Sequence, residues 1–257
     1  ELGHKFPRDA TALRPLLQAH GLVLVSGWYS AALRTRPVAE ELAAVRPHLE
    51  LLRALDCAVL VFAETSGAIH GDRSTPLSRR PIMTDDEWPR FAARLNALAD
   101  AVAAGGLALA YHHHMGTVVQ TEAEIDRLMA STAPSVKLLL DTGHATFAGA
   151  DPVGLARRHA ARIAHVHCKD VRPGVMRQAQ AGDWSFLDAV VAGVFTVPGD
   201  GGVDFPAVLR ELPRYAGWLV VEAEQDPAKA PPLAYARLGC ANLRRFAAQA
   251  GLAVAPP

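Results

Sequence analysis

Six short apolar runs recur along the chain, and most of them close on ionisable residues. They are Leu22 to Tyr29 (LVLVSGWY), Val59 to Thr65 (VLVFAET), Leu107 to Thr117 (LALAYHHHMGT), Val136 to His144 (VKLLLDTGH), Ile163 to Asp170 (IAHVHCKD) and Trp218 to Asp226 (WLVVEAEQD). Longer stretches with helical periodicity separate them. Runs this short and this apolar predict parallel strands covered on both faces. Alternation with helices predicts a (β/α) barrel, with residues 1–257 forming one domain. In such a barrel the chemistry sits at the carboxyl ends of the strands, where Glu64, His112, Asp141, His167 and Glu222 fall.

The helix boundaries carry their own signals. Helices are expected from near Thr11, from Pro37 to about Leu55, and from the Thr84-Asp85-Asp86 cap to the Gly105-Gly106 stop. Thr121 and Glu124 make a capping-box pattern, Asp151-Pro152 and Asp204 open two more helices, and the last helix runs from Pro232 to about Ala250. WSFLDAVVAG reads as a short helix, Arg172 to Asp183 as a loop, and the AVAPP tail as frayed. The loop from Ser66 to Met83 has a length that usually signals function or disorder. Glu1-Leu2-Gly3 looks like the end of a strand. Six strands and this fragment fall short of eight, so the first strand–helix unit of a closed barrel is expected to be missing from the chain.

Composition narrows the partners. Half of the 257 residues are hydrophobic, enough for a sizeable core. Twenty-six basic residues balance 26 acidic ones, so no net field attracts a polyphosphate backbone; a small, nearly neutral ligand is favoured over nucleic acid. Three widely spaced cysteines (Cys57, Cys168, Cys240) argue against a disulfide framework and suit a cytoplasmic protein. No apolar stretch has membrane-spanning length, ELGHKFPRD lacks a signal-peptide pattern, and the composition is compatible with a homo-oligomer.

Strand phase selects the candidate ligands, because side chains alternate across a strand. His112 and His114 share a face with Ala108 and Ala110; Asp141 shares one with Leu139; His167 falls with His165 and Ile163; Glu222 falls with Val220 and Glu224. If these faces point inward, carboxylates and imidazoles from four strands meet near one axis. Such a set suits a divalent ion of the Mn, Co, Fe or Mg kind better than a thiolate zinc site. His113, out of phase, and His165, one layer deeper, are expected to be structural. Glu224 and Asp226 read as rim charges, and Lys169 as a partner of Asp170 or a substrate contact. The PGDGGVDF turn lacks phosphate-loop spacing and reads as a tight turn into a helix.

YHHHMGTVVQTEAEIDRLM, LLLDTGHATFAGADP, HVHCKDVR, PGDGGVDF, VVEAEQDP and the opening ELGHKFPRD together resemble the inosose dehydratases of myo-inositol catabolism. These lie in a superfamily of xylose-isomerase-like (β/α)8 TIM barrels that includes ketose epimerases and abasic-site endonucleases. The resemblance implies dehydration of 2-keto-myo-inositol (scyllo-inosose) to a trihydroxycyclohexane-1,2-dione, with Mn or Co as cofactor. It implies a metal held by Asp141, His167 and Glu222, with the fourth ligand open between His112, His114 and water, because the epimerases carry a glutamate where this chain has His112.

Dehydration needs one base and one acid, and an asymmetric site suits it. Glu222 or Lys169 is expected to take the proton, and His144 or His114 to protonate the departing hydroxyl. Glu64, Trp28, His4, Lys5 and Arg172 are expected at the mouth, holding the polyol. The competing expectations are an inosose or ketose isomerase or epimerase, an endonuclease, and a sugar-binding barrel without metal.

Overall fold

The structure is a computed structural model that describes residues 1–255. Six parallel strands form the central sheet in the order β1 (Trp28–Ala31), β2 (Val59–Glu64), β3 (Ala108–His112), β4 (Val136–Asp141), β5 (Ile163–Cys168) and β8 (Leu219–Val221). A parallel bridge from Leu2 to Gly27 extends the sheet beyond β1. The expected strand–helix alternation is therefore present, as six strands and one bridged fragment among the described residues. A two-stranded antiparallel ribbon, β6 (Asp170–Val171) with β7 (Phe195–Thr196), stands over the carboxyl end of β5.

The helices are α1 (Ala10–Ala19), α2 (Val38–Ala54), α3 (Glu87–Ala104), α4 (Glu122–Ser131), α5 (Thr142–Phe147), α6 (Pro152–His159), α7 (Pro173–Ala181), α8 (Phe186–Ala192), α9 (Phe205–Arg210) and α10 (Pro232–Gln249). The expected caps of α4, α6 and α9 are formed. Thr121 and Glu124 complete a capping box, and the side chains of Asp151 and Asp204 accept from Val153 N–H and Ala207 N–H.

The fold departs from expectation in three places. The stretch from Arg172 to Asp183 is helix α7, opened by Pro173 in its first turn. A further helix, α5, begins directly after Asp141. Of the run Leu22 to Tyr29, only Trp28 and Tyr29 enter a strand; Leu22 N–H turns back to Leu17 O, Leu24 O accepts from Cys57 Sγ, and Ser26 O accepts from Leu2 N–H. The last two residues of the AVAPP tail lie outside the described residues.

Two apolar layers hold the sheet in place. The larger lies between strands and helices and includes Leu60, Phe62, Leu109, Tyr111, Leu138, Leu140 and Val166. The smaller fills the inner face, with Val59, Val61, Ala110 and Leu139 packed against Trp28, Ala108 and Ala164. Ala108, Ala110 and Leu139 thus sit where the strand phase put them, on the face that His112 and Asp141 share. Ile163 does not. A bulge pairs Leu138 with Ile163 and the next residue, Leu139, with His165. The extra residue, Ala164, turns inward and Ile163 joins the outer layer.

Candidate metal centre

The parallel register sets Asp141 beside His167 at the ends of β4 and β5, while His112 ends β3. His112 Nε2 lies 3.2 Å from His167 Nδ1, and Asp141 Oδ2 lies 3.4 Å from each of them. Glu222 Oε2 approaches His167 Nδ1 to 3.3 Å. Ligand atoms around a tetrahedral ion with bonds of about 2.0–2.2 Å stand roughly 3.3–3.6 Å apart. Asp141 Oδ2 and Glu222 Oε2 are moreover buried oxygens without a geometrically directed hydrogen bond, met by the charge of Lys169 Nζ at 3.3 and 2.8 Å. Orphaned carboxylate oxygens are costly unless something positive completes them. Two imidazole nitrogens and one carboxylate oxygen, from His112, His167 and Asp141, stand at mutual ligand spacing and fit a divalent cation, with Glu222 beside them against His167. His112, not His114, joins this set.

The DTGH motif has a task for every residue. Asp141 uses Oδ1 to accept the N–H of His144 at 2.8 Å, capping α5, and leaves Oδ2 for the cluster. Thr142 Oγ1 donates to Lys169 O at 2.7 Å and accepts from Lys169 N at 3.1 Å, lashing β4 to β5. A Cβ on Gly143 would stand 2.5 Å from Lys169 Cγ, so only glycine lets that side chain pass. His144 is itself buried, its Nε2 3.3 Å from Glu224 Oε2.

Lys169 is wholly buried, with Nζ 2.7 Å from Glu224, 2.8 Å from Glu222 and 3.3 Å from Asp141. Burial disfavours the ammonium, yet the Asp141, Glu222 and Glu224 carboxylates outweigh it and hold the pKa above the usual lysine range. The reciprocal effect keeps Asp141 and Glu224 ionised: burial pushes both upward, but Lys169 and His144 hold them well below the usual carboxylate range. Burial pushes His112 down to about 4, against the pull of Asp141. It also holds His114 far below the usual histidine value, with the charge of His144 adding to it. For His167 burial again opposes charge, but Glu1 and Glu222 overcome it and raise the pKa.

Several expectations require correction. The partner of Lys169 is not Asp170. The Asp170 carboxylate instead accepts the N–H groups of Val171, Gly199, Gly201 and Val203 at 2.8–3.0 Å, shaping the PGDGGVDF turn. Glu224 is no rim charge, since it faces Lys169, His144 and His114. Glu64 does not face the mouth: its oxygens accept from the N–H groups of Leu33, Arg34 and Ser66. Arg172 is likewise spent, on Gly193 O, Phe195 O, Thr196 Oγ1 and Asp200 Oδ2. Trp28 sets its ring edge-on to His112 and His114, at 5.2 and 5.6 Å between centroids. His4 and Lys5 lie exposed on the turn after Leu2, and among the described residues neither bonds to the cluster.

The supporting residues behave as the phase suggested. His113 Nε2 accepts the Asp141 N–H at 3.2 Å, and His165 Nε2 lies 2.7 Å from Glu1 Oε1. The long loop brings His70 within 4.9 Å of the His114 ring, a neighbour that periodicity alone does not reveal. His114, His144 and Glu224 also stand close enough to hold an ion. Lys169 Nζ is within 2.9 Å of His144 and 2.7 Å of Glu224, and 2.8 Å from Glu222 of the first set, so its charge lies between the two groups.

A parallel α/β barrel with acids and imidazoles gathered at its strand ends defines a class. The chain belongs to the xylose isomerase-like TIM barrel family, whose model matches residues 3–246. Among its relatives, the rhizopine catabolism protein MocC of Rhizobium meliloti is 53% identical over 253 residues, covering 98% of this chain and 78% of that protein. The inosose dehydratase of Geobacillus thermodenitrificans is 46% identical over 240 residues, covering 92% and 80%. Among solved structures, the IOLI protein with a bound zinc atom superposes with a TM-score of 0.62 at 15% identity, covering 92% of this chain and 80% of that one. A xylose isomerase domain protein from Alicyclobacillus acidocaldarius reaches 0.67 at 20% identity, covering 94% and 83%.

Proposed function

We propose that this protein is an inosose dehydratase, a hydro-lyase that removes water from 2-keto-myo-inositol to give a trihydroxycyclohexane-1,2-dione in inositol catabolism. The observation that carries this reading is identity of 42–46% to several inosose dehydratases over most of the chain. The site agrees with it, being asymmetric: the cation-type cluster lies on one side of Lys169 and a proton-bearing cluster on the other.

His112, Asp141, His167 and Glu222 are the residues that would hold a divalent ion, Mn or Co in this proposal, since they offer nitrogen and oxygen without thiolate. A bound ion would act as a Lewis acid on the ketone oxygen and a neighbouring hydroxyl. The chain's own groups do the rest. Glu222, at the partly open edge of the cluster, takes the proton from the carbon beside the ketone. Lys169 is a poor base because the carboxylates around it hold it as an ammonium.

The acid is His144. Met115 N–H points at its Nδ1 from 3.4 Å, which leaves the ring proton on Nε2, beside Glu224 Oε2 at 3.3 Å. His114 is spoken for differently: its Nδ1 donates to Met115 O at 2.7 Å, leaving Nε2 as an acceptor for a substrate hydroxyl. Trp28 would cover an apolar edge of the ring, and His4 and Lys5 would reach its outer hydroxyls. Three unpaired cysteines suit a cytoplasmic location, and among the described residues no helix is long and apolar enough to cross a membrane.

Incubation of Mn- or Co-loaded protein with scyllo-inosose tests the proposal. The expected product is a dione with strong ultraviolet absorbance; an isomeric inosose would make the protein an isomerase instead. The 53% identity to MocC favours a second reading, in which the natural substrate derives from a rhizopine. Comparing kcat/KM for inosose and for a rhizopine-derived ketone separates the two.

A further inference from the structure

Glu1 is the feature that the proposed reaction leaves without a task. Its carboxylate reaches the cluster from a stretch whose next acid or imidazole in sequence is His4, followed by Asp9. Oε1 accepts from Ser26 Oγ at 2.6 Å and lies 2.7 Å from His165 Nε2 and 3.0 Å from His167 Nε2. His167 therefore has two occupied edges. Nε2 faces Glu1, and Nδ1 faces His112, Asp141 and Glu222.

A carboxylate behind a ligating imidazole fixes its tautomer and ring orientation, and raises its basicity as a donor. We infer that Glu1 is a positioning residue that fixes the proton of His167 on Nε2, so that Nδ1 presents its lone pair to the cation. The inference rests on the assignment of His167 as a ligand. Ser26 Oγ and His165 Nε2 meet the same Oε1, at 2.6 and 2.7 Å, so the place of that oxygen does not depend on His167 alone. Glu1, His165 and His167 could instead be taken for a metal site of their own. Their separations of 2.7 and 3.0 Å answer this, being donor–acceptor distances and shorter than the roughly 3.3–3.6 Å between ligands of a shared tetrahedral ion.

The test compares the full chain with Glu1→Ala, Glu1→Gln and His167→Ala, using zinc or manganese affinity by chelator competition and long-range 15N–1H NMR of the zinc-loaded protein. The expected results are one ion per chain, His167 protonated on Nε2 in the parent, and a 10–100-fold weaker affinity in Glu1→Ala. Glu1→Gln, which keeps an accepting oxygen, should recover part of that loss. Measurement well below the melting temperature of each variant separates positioning from unfolding. Parent-like affinity in Glu1→Ala, a proton on Nδ1 of His167, or two ions per chain would overturn the inference. Parent-like affinity in His167→Ala would instead remove the ligand assignment on which it stands.

Discussion

Replacing Lys169 by methionine keeps the length and volume of the side chain and removes its charge. In the metal-free protein this strands three carboxylates that the ammonium now meets within 2.7–3.3 Å. Breaking a buried ion pair by removing one partner costs about 3–5 kcal/mol. Asp141 is fully buried, but the side chains of Glu222 and Glu224 are 29% and 30% exposed and can turn toward water. The lower end, about 3 kcal/mol, is therefore the expected cost. At about 2–4 °C per kcal/mol for a chain of this size, the melting temperature should fall by roughly 6–12 °C. Thermal melts in chelator and in excess Mn measure it. A bound dication compensates Asp141 and Glu222, two of these three carboxylates, so the deficit should shrink when metal is added. A melting temperature within about 2 °C of the parent in chelator would refute the reasoning, since it would mean that the carboxylates do not depend on Lys169. An equal deficit with and without metal would place the ion elsewhere.

Other outcomes follow from single contacts. Asp141→Asn keeps an oxygen to cap α5 and loses the charge on the cluster, so circular dichroism should be unchanged while metal affinity drops more than tenfold. Gly143→Ala forces its Cβ to 2.5 Å from Lys169 Cγ, and such overpacking should cost about 1–3 kcal/mol in denaturant melts, with turnover falling as Lys169 is displaced. Of the thiols, only Cys240 is exposed and should react with a disulfide reagent at neutral pH. Burial pushes Cys57 up to about 11, so the folded state prefers the neutral thiol. Its contribution to stability is complete below the ordinary thiol pKa and is lost as the pH rises from there through about 11, which pH-dependent denaturation in a Cys57→Ala comparison reads directly.

Much of the site was legible in the sequence, for a simple reason. A strand has a period of two, so one apolar residue of known facing fixes the phase of an acid further along, and Leu139 did this for Asp141. The same logic failed at Ile163, where a bulge adds a residue without leaving a trace in the hydrophobic pattern. Glu64 and Arg172 show the opposite limit. A polar residue at a strand end reads the same whether it faces the mouth or holds a neighbouring loop, and here both hold loops. Glu224 did carry a signal, its shared phase with Glu222, although the chain there is irregular beyond the three residues of β8. His70 and Glu1 carried none. One sits in a loop without period, and the other precedes a single bridged residue, too short a stretch to alternate.

The central claim is that four strand-end side chains share one divalent cation. Anomalous diffraction from crystals soaked in manganese or cobalt tests it most directly. The account predicts one strong peak bounded by His112 Nε2, Asp141 Oδ2, His167 Nδ1 and Glu222 Oε2. A peak among His114, His144 and Glu224, or none within reach of Asp141, would contradict it.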